Sequence, residues 1–204
     1  MNVGRLVLRG TVGPLFIGHG GQKLFGWFDG HGLDGTGGFF ESIGLRPGRR
    51  HATAAGAAEL AGGALLTLGA FTPLAASLIA GTMTTAIRKV HAPNGPWVTN
   101  GGYEYNLTLI AAMAAITETG PGSPSVDAVR FPRLKGPALA LLAVGAGVAG
   151  SYLVTEVFGD SEPAPQVTDV PGDPAVADDD SAPRFEREAA PAPSPAAVTP
   201  PPAS

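Results

Sequence analysis

Apolar residues along this chain run in long stretches, and the polar residues gather at the ends of those stretches. Residues 60 to 87 contain no charge, and the apolar stretch from Ala52 to Ile87 is too long for one bilayer crossing of roughly 20 residues. A turn must interrupt it, and "GAFTP" (Gly69 to Pro73) supplies the break, so the pattern predicts a helical hairpin over 52–70 and 73–91. Another uncharged run of spanning length covers 136–155, where Ala143, Gly147 and Ser151 recur every four residues. Such a small-residue stripe reads first as ordinary helix packing and only second as a dimerisation face.

Two weaker spans complete the pattern. Residues 6–27 carry Arg9, His19, Lys23 and a helix-kinking Pro14, and residues 101–118 are bounded by Glu104 and Glu118. Both need their polar groups sheltered inside a bundle. The reading is therefore an all-α, integral membrane four-helix bundle over residues 1–127, followed by a linker and one additional transmembrane helix over 128–158. Between the first two spans, residues 28–51 form either an interfacial or re-entrant segment, with Trp27, Phe28, Phe39 and Phe40 near the headgroups, or a plain flexible loop. Arg5 and Arg9 ahead of an apolar stretch imitate a secretory signal, but no A-x-A-like site follows, so the segment reads as a retained first span.

Composition sharpens this picture. Charged residues make up only 15% of the 204, and glycine, with 30 residues, far exceeds average usage, which suits close helix packing in lipid. The net charge of -4 conceals an asymmetry: 9 of the 17 acids but only 2 of the 13 basic residues fall in 159–204. That segment also holds 11 of the 20 prolines and little apolar content, the signature of a disordered acidic tail rich in proline and alanine. The basic residues never form a stripe, which excludes a nucleic-acid footprint. With no cysteine, thiolate and iron–sulfur chemistry are excluded for this chain, so a redox role would need a borrowed cofactor.

Spans joined by short connections run antiparallel, which puts the end of span one, the start of span two, the end of span three and the start of span four on one side. His19, Gln22 and Lys23 share a helix face at the first of these ends, and Glu59 lies two turns into span two, about 10 Å deep at 1.5 Å per residue. Arg88, Lys89 and His91 close span three, while Tyr103, Glu104, Tyr105 and Asn106 open span four. A lone ion at membrane depth costs about 2.5–3.5 kcal/mol on insertion scales, and pairing lowers the cost. The expectation is a polar pocket capped by the 28–51 segment, with His19, Gln22, Lys23, Glu59, Arg88, His91, Tyr103, Glu104 and Asn106 as candidate ligand-binding residues.

Blander roles compete for each. His19 could simply bond a neighbouring helix, Lys23 could snorkel to the interface, and Glu104 and Asn106 could cap a helix at the membrane edge. Arg88 and Lys89 also read as headgroup anchors, and His31 and His51 as loop residues. No metal-ligand spacing such as H-E-x-x-H occurs.

The same stretches resemble the DoxX family of small bacterial membrane proteins over about residues 4 to 127: "LFIGHGGQKLFG", "ELAGG" followed by "LGAFTPLAA", "MTTAIRKVH", "NGGYEYNLTLIAAMAA" and "GPGSPSVD". The resemblance implies a four-helix bundle in the plasma membrane with a cytoplasmic N-terminus, and an association with quinone-linked sulfur oxidation. Mycobacterial members look like membrane anchors for a complex with superoxide dismutase and a sulfurtransferase. The extra span and the tail depart from the family, and one more crossing would place the C-terminus outside. Positive charge does not orient the chain, since the two sides carry six and five basic residues.

Three functions follow as expectations: a membrane subunit of a redox complex that binds quinone in the polar layer, a non-catalytic scaffold whose tail recruits soluble partners, and a small carrier for a lipid or metabolite. In the first, His19, Gln22 and Lys23 supply hydrogen-bond donors and Glu59 could accept a proton.

Overall fold

The computed structural model describes residues 2–157; the tail expected over 159–204 lies outside the described residues. Among the described residues there are seven α-helices and no strands, so the all-α expectation holds. The helices are α1 (Val3–Phe25), α2 (Gly32–Ser42), α3 (Gly48–Leu68), α4 (Thr72–Ala86), α5 (Glu104–Thr119), α6 (Val126–Arg130) and α7 (Pro137–Tyr152). Helix α4 continues into a π-helical turn at Ile87–His91, and α7 into another at Leu153–Val157. Pro14 lies inside an α1 that runs unbroken on both sides of it.

Helix α1 packs on α3, α4 packs against α3, α5 and α7, and α2 lies across α1 and α3. The core cluster they enclose includes Phe16, Leu66, Ile79, Leu109, Met113 and Ile116. Glycine sets the α1–α3 distance. A Cβ on Gly20 would lie 2.6 Å from the Gly56 carbonyl oxygen, and one on Gly63 would lie 2.6 Å from that of Gly13. These four glycines repeat every seven residues on each helix and let the two backbones touch. The stripe on α7 has the same use: Ala143, Gly147 and Ser151 are buried, and a Cβ on Gly147 would meet the Ser77 carbonyl oxygen of α4 at 2.5 Å. Within the chain it is a packing seam.

The turn expected at Gly69 to Pro73 is present as a three-residue link between α3 and α4. Gly69 ends α3 with φ of 59°, a left-handed conformation that favours glycine, and its carbonyl accepts the Asp127 N–H at 2.9 Å. Asp127 in turn caps α4 from 55 residues away. Its Oδ1 accepts the Phe71 N–H at 2.8 Å, and its Oδ2 accepts the Thr72 N–H at 2.8 Å and the Thr72 hydroxyl at 2.6 Å. A carboxylate at a helix N-terminus is favoured by unpaired N–H groups and by the helix dipole. Arg9 approaches the same end from α1, is 1% exposed, and donates from Nη2 to the Pro124 carbonyl at 2.6 Å. It is therefore a buried structural cation, and counting it among loop charges misplaces it.

Residues 28–51 hold a helix where a flexible loop was one of two expectations. A short 3₁₀ turn at Trp27–Asp29 leads into α2, which packs through Thr36 and Gly37 and is tied to α3 by the Asp34–Arg49 ion pair. The Glu41 carboxylate accepts the Gly48 N–H at 3.1 Å and caps α3.

Of the five expected spans, one helix among the described residues, Pro137–Glu156 with mean hydropathy 1.8, is long and apolar enough to cross a membrane by length and composition alone. The others fall short for physical reasons. Helix α1 carries Arg5, Arg9 and Lys23, α3 carries Arg49, Arg50 and Glu59, and α5 has only 16 residues, about 24 Å at the α-helical rise.

Two substitutions test these contacts. Gly20→Leu forces α1 away from α3 and should lower the melting temperature of the detergent-purified protein by roughly 5 °C or more, whereas Gly10→Leu, where a Cβ meets open space, should change it little. Asp127→Ala leaves the N-terminus of α4 uncapped and should cost about 3 kcal/mol in denaturant unfolding.

Candidate functional site

The end of α1, the start of α3, the end of α4, the start of α5 and the end of α7 converge on a half-open cavity of about 480 Å³. On α1 the lining residues Val12, Phe16, His19 and Lys23 follow one face at steps of three and four. On α3 they include His51, Ala55 and Glu59, each four apart. Phe39 and Phe40 of α2, in the segment expected to cap the pocket, line it as well. Its walls are mostly apolar, and the polar groups sit among them at these helix ends.

Lys23 and Glu59 meet inside it, with Nζ 2.6 Å from Oε2 and side chains 25% and 7% exposed. The contact is an ion pair without an aligned hydrogen bond, since Glu59 Oε2 is buried and has no hydrogen-bond partner. A buried carboxylate in this position is tolerable because the ammonium lies against it. Gly56 makes the approach possible: a Cβ there would stand 3.2 Å from the Lys23 Cβ and 2.8 Å from Leu24 Cγ.

The other expected residues divide into two sets. His19, His91 and Asn106 line the cavity with Lys23 and Glu59. Asn106 is 7% exposed and donates from Nδ2 to the Met83 Sδ at 3.3 Å. Gln22, Arg88, Tyr103 and Glu104 are not among the lining residues. Gln22 stands behind His19, its Oε1 3.2 Å from the imidazole Nδ1. Glu104 accepts the Val98 N–H at 2.7 Å, and Tyr103 gives its backbone N–H to the Gly95 carbonyl at 3.2 Å, so both organise the 92–103 loop.

Arg88 is drawn away by α7. Its guanidinium sits 3.5 Å over the Tyr152 ring and donates to Ser151 Oγ at 3.2 Å, Thr155 Oγ1 at 3.1 Å and Glu156 Oε1 at 2.7 Å. Lys89 reaches the same carboxylate at 3.2 Å. Headgroup anchoring is not needed to explain either cation.

Among the lining residues that were not candidates from the sequence are His51 and Tyr105. His51 is no loop residue: α3 begins at Gly48, and His51 is 5% exposed with Nε2 3.2 Å from the Arg46 carbonyl oxygen. Its place two turns before Glu59 was the available signal. Tyr105, next to Asn106, lines the cavity where Tyr103 and Glu104 were expected.

A double-mutant cycle tests the ion pair. Lys23→Met should destabilise the protein by about 3 kcal/mol, because the buried Glu59 side chain loses its partner, while Lys23→Met with Glu59→Leu should recover most of that loss in the same melting assay.

No curated protein and no solved structure matches the chain. The DoxX family model matches residues 4–92, a stretch that runs from α1 through the π-helical turn after α4 and stops short of residue 127. The helices α1, α3 and α4 that wall the cavity, and its ion pair, thus fall within the stretch that matches the DoxX family model.

Proposed function

We propose that this protein is a multi-pass membrane protein, with α1, α3, α4, α5 and α7 crossing the bilayer, that binds a quinone-type ring in the cavity as a subunit of a redox complex. Membership of residues 4–92 in the DoxX family supports the membrane setting, and so does the distribution of apolar surface. Exposed large apolar side chains occur on every one of these helices, among them Val7, Leu15, Leu68, Leu74, Leu107 and Leu141, while Arg9, Glu59 and Asp127 are buried. Apolar groups facing outward and ions facing inward suit lipid as the surrounding solvent. The end of α7 then lies on the same side as the end of α1, so a cytoplasmic N-terminus places both the cavity mouth and residue 157 outside.

One observation carries the ligand: a cavity of about 480 Å³, walled mostly by apolar side chains, with an ion pair and three imidazoles among its lining residues. Sites of that size and mixture take small organic molecules. The residues fit a quinone, because Phe16, Val12 and Leu109 offer an apolar slot and Lys23 keeps N–H groups beyond the one facing Glu59. A bound quinone would supply two-electron, two-proton redox chemistry. The chain itself positions the ring, screens it from water with α2, and holds acceptors for protons at Glu59 and the histidines. With no cysteine it moves no electrons through its own side chains, so a soluble partner such as a sulfurtransferase-type enzyme is required.

The test uses the full chain purified in detergent. Mass spectrometry of the organic extract should identify a quinone, and a short-chain quinone analogue should raise the melting temperature. A quinone-free extract together with an unshifted melting temperature sinks this reading and favours the scaffold or carrier.

A further inference from the structure

The histidines of the cavity have their hydrogens assigned by their neighbours. His51 Nε2 is 3.2 Å from the Arg46 carbonyl oxygen, and His91 Nδ1 is 2.7 Å from that of Gly101. A carbonyl oxygen only accepts, so the facing ring nitrogen carries the hydrogen. The neutral imidazole is then left with a bare lone pair on its other nitrogen, Nδ1 in His51 and Nε2 in His91. His19 follows the same pattern, with Nδ1 against Gln22 Oε1 at 3.2 Å and Nε2 left over. None of these three remaining nitrogens has a hydrogen-bond partner among the described residues.

Other acceptors join them. Asn106 uses its Nδ2 on Met83 Sδ, which leaves the amide oxygen, and Glu59 contributes a carboxylate. The cation of the group, Lys23, is engaged with Glu59 at 2.6 Å. The lone pairs do not form a metal cage, since among the described residues no three His, Cys, Asp or Glu side chains come together to hold a metal ion. These acceptors thus line the cavity together with the Lys23 ammonium and the Tyr105 hydroxyl.

We infer that the cavity selects a hydroxyl-bearing aromatic ring, the reduced dihydroxy form of the ligand, over its dicarbonyl form. This rests on the ring-binding reading above. A ring carbonyl set against a bare imidazole nitrogen opposes two lone pairs and leaves both unsatisfied. A ring hydroxyl donates to that nitrogen and can still accept from the spare N–H groups of Lys23. Sites built around such a bond reject analogues that lack it far more strongly than apolar pockets reject a missing methylene.

Calorimetry on the full detergent-purified chain, under argon at pH 8, separates the possibilities with three probes: a short-chain hydroquinone, its quinone, and its dimethyl ether, which keeps the ring and oxygens but cannot donate. The hydroquinone should bind at least about ten-fold more tightly than either of the others. His51→Phe and His91→Phe, which keep a flat ring in place, should each bring that ratio down to about three-fold or less; His91 is only half-buried, so its variant reports even where the other fails to fold. Equal or tighter binding of the quinone or the ether, or a ratio unchanged in the folded variants, overturns the inference while leaving the ring-binding reading intact. Failure of all three probes to bind overturns both.

Discussion

Everything at the cavity depends on how closely the backbones of α1 and α3 approach. Gly13 and Gly20 on one helix face Gly56 and Gly63 on the other, and a side chain at any of them would strike the opposite helix. Only at that separation can the short reach from α1 to α3 be spanned by Lys23, and only then does the Glu59 carboxylate, 7% exposed, acquire its counter-charge. The glycine seam is thus an electrostatic device as well as a packing one. A wider spacing would leave a carboxylate alone among alanines and glycines.

The molecule has a second polar end, and the contrast between the two is informative. At the α3–α4 turn, both Asp127 oxygens are consumed by the N-terminus of α4, and Arg9 lies buried close by on the Pro124 carbonyl. Those groups close a fold. At the cavity end the polar groups border a space, and several of their lone pairs have no partner among the described residues. Valences spent on the chain hold it together; valences left over are free to meet a ligand.

Much of the helical pattern was legible because the causes are local. Uncharged runs, the "GAFTP" break and the spacing of His19, Gln22 and Lys23 fix helices and faces over a few residues, and the antiparallel order then brings Lys23 to Glu59. What escaped depends on partners distant in sequence. Nothing near Arg88 announces that Ser151, Thr155 and Glu156 will claim it, and nothing near Thr72 announces Asp127. His51 was hidden differently: the glycine- and proline-rich "GLRPGRRH" resembles a loop until its last residues wind into the first turn of α3. The helices of mixed polarity also hide their setting, because charges that pair inside a bundle still count against each helix taken singly.

Helix α7 shows that a family boundary and a structural boundary are different things. The family match ends at residue 92, yet the cation four residues earlier pairs with Glu156, and the N-terminus of the helix that carries it is capped by Asp127. The matched segment borrows a counter-ion, a helix cap and a cavity wall from sequence beyond itself. A piece of this chain that keeps these partners therefore extends through residue 156, and the C-terminal additions are integral to the domain they follow.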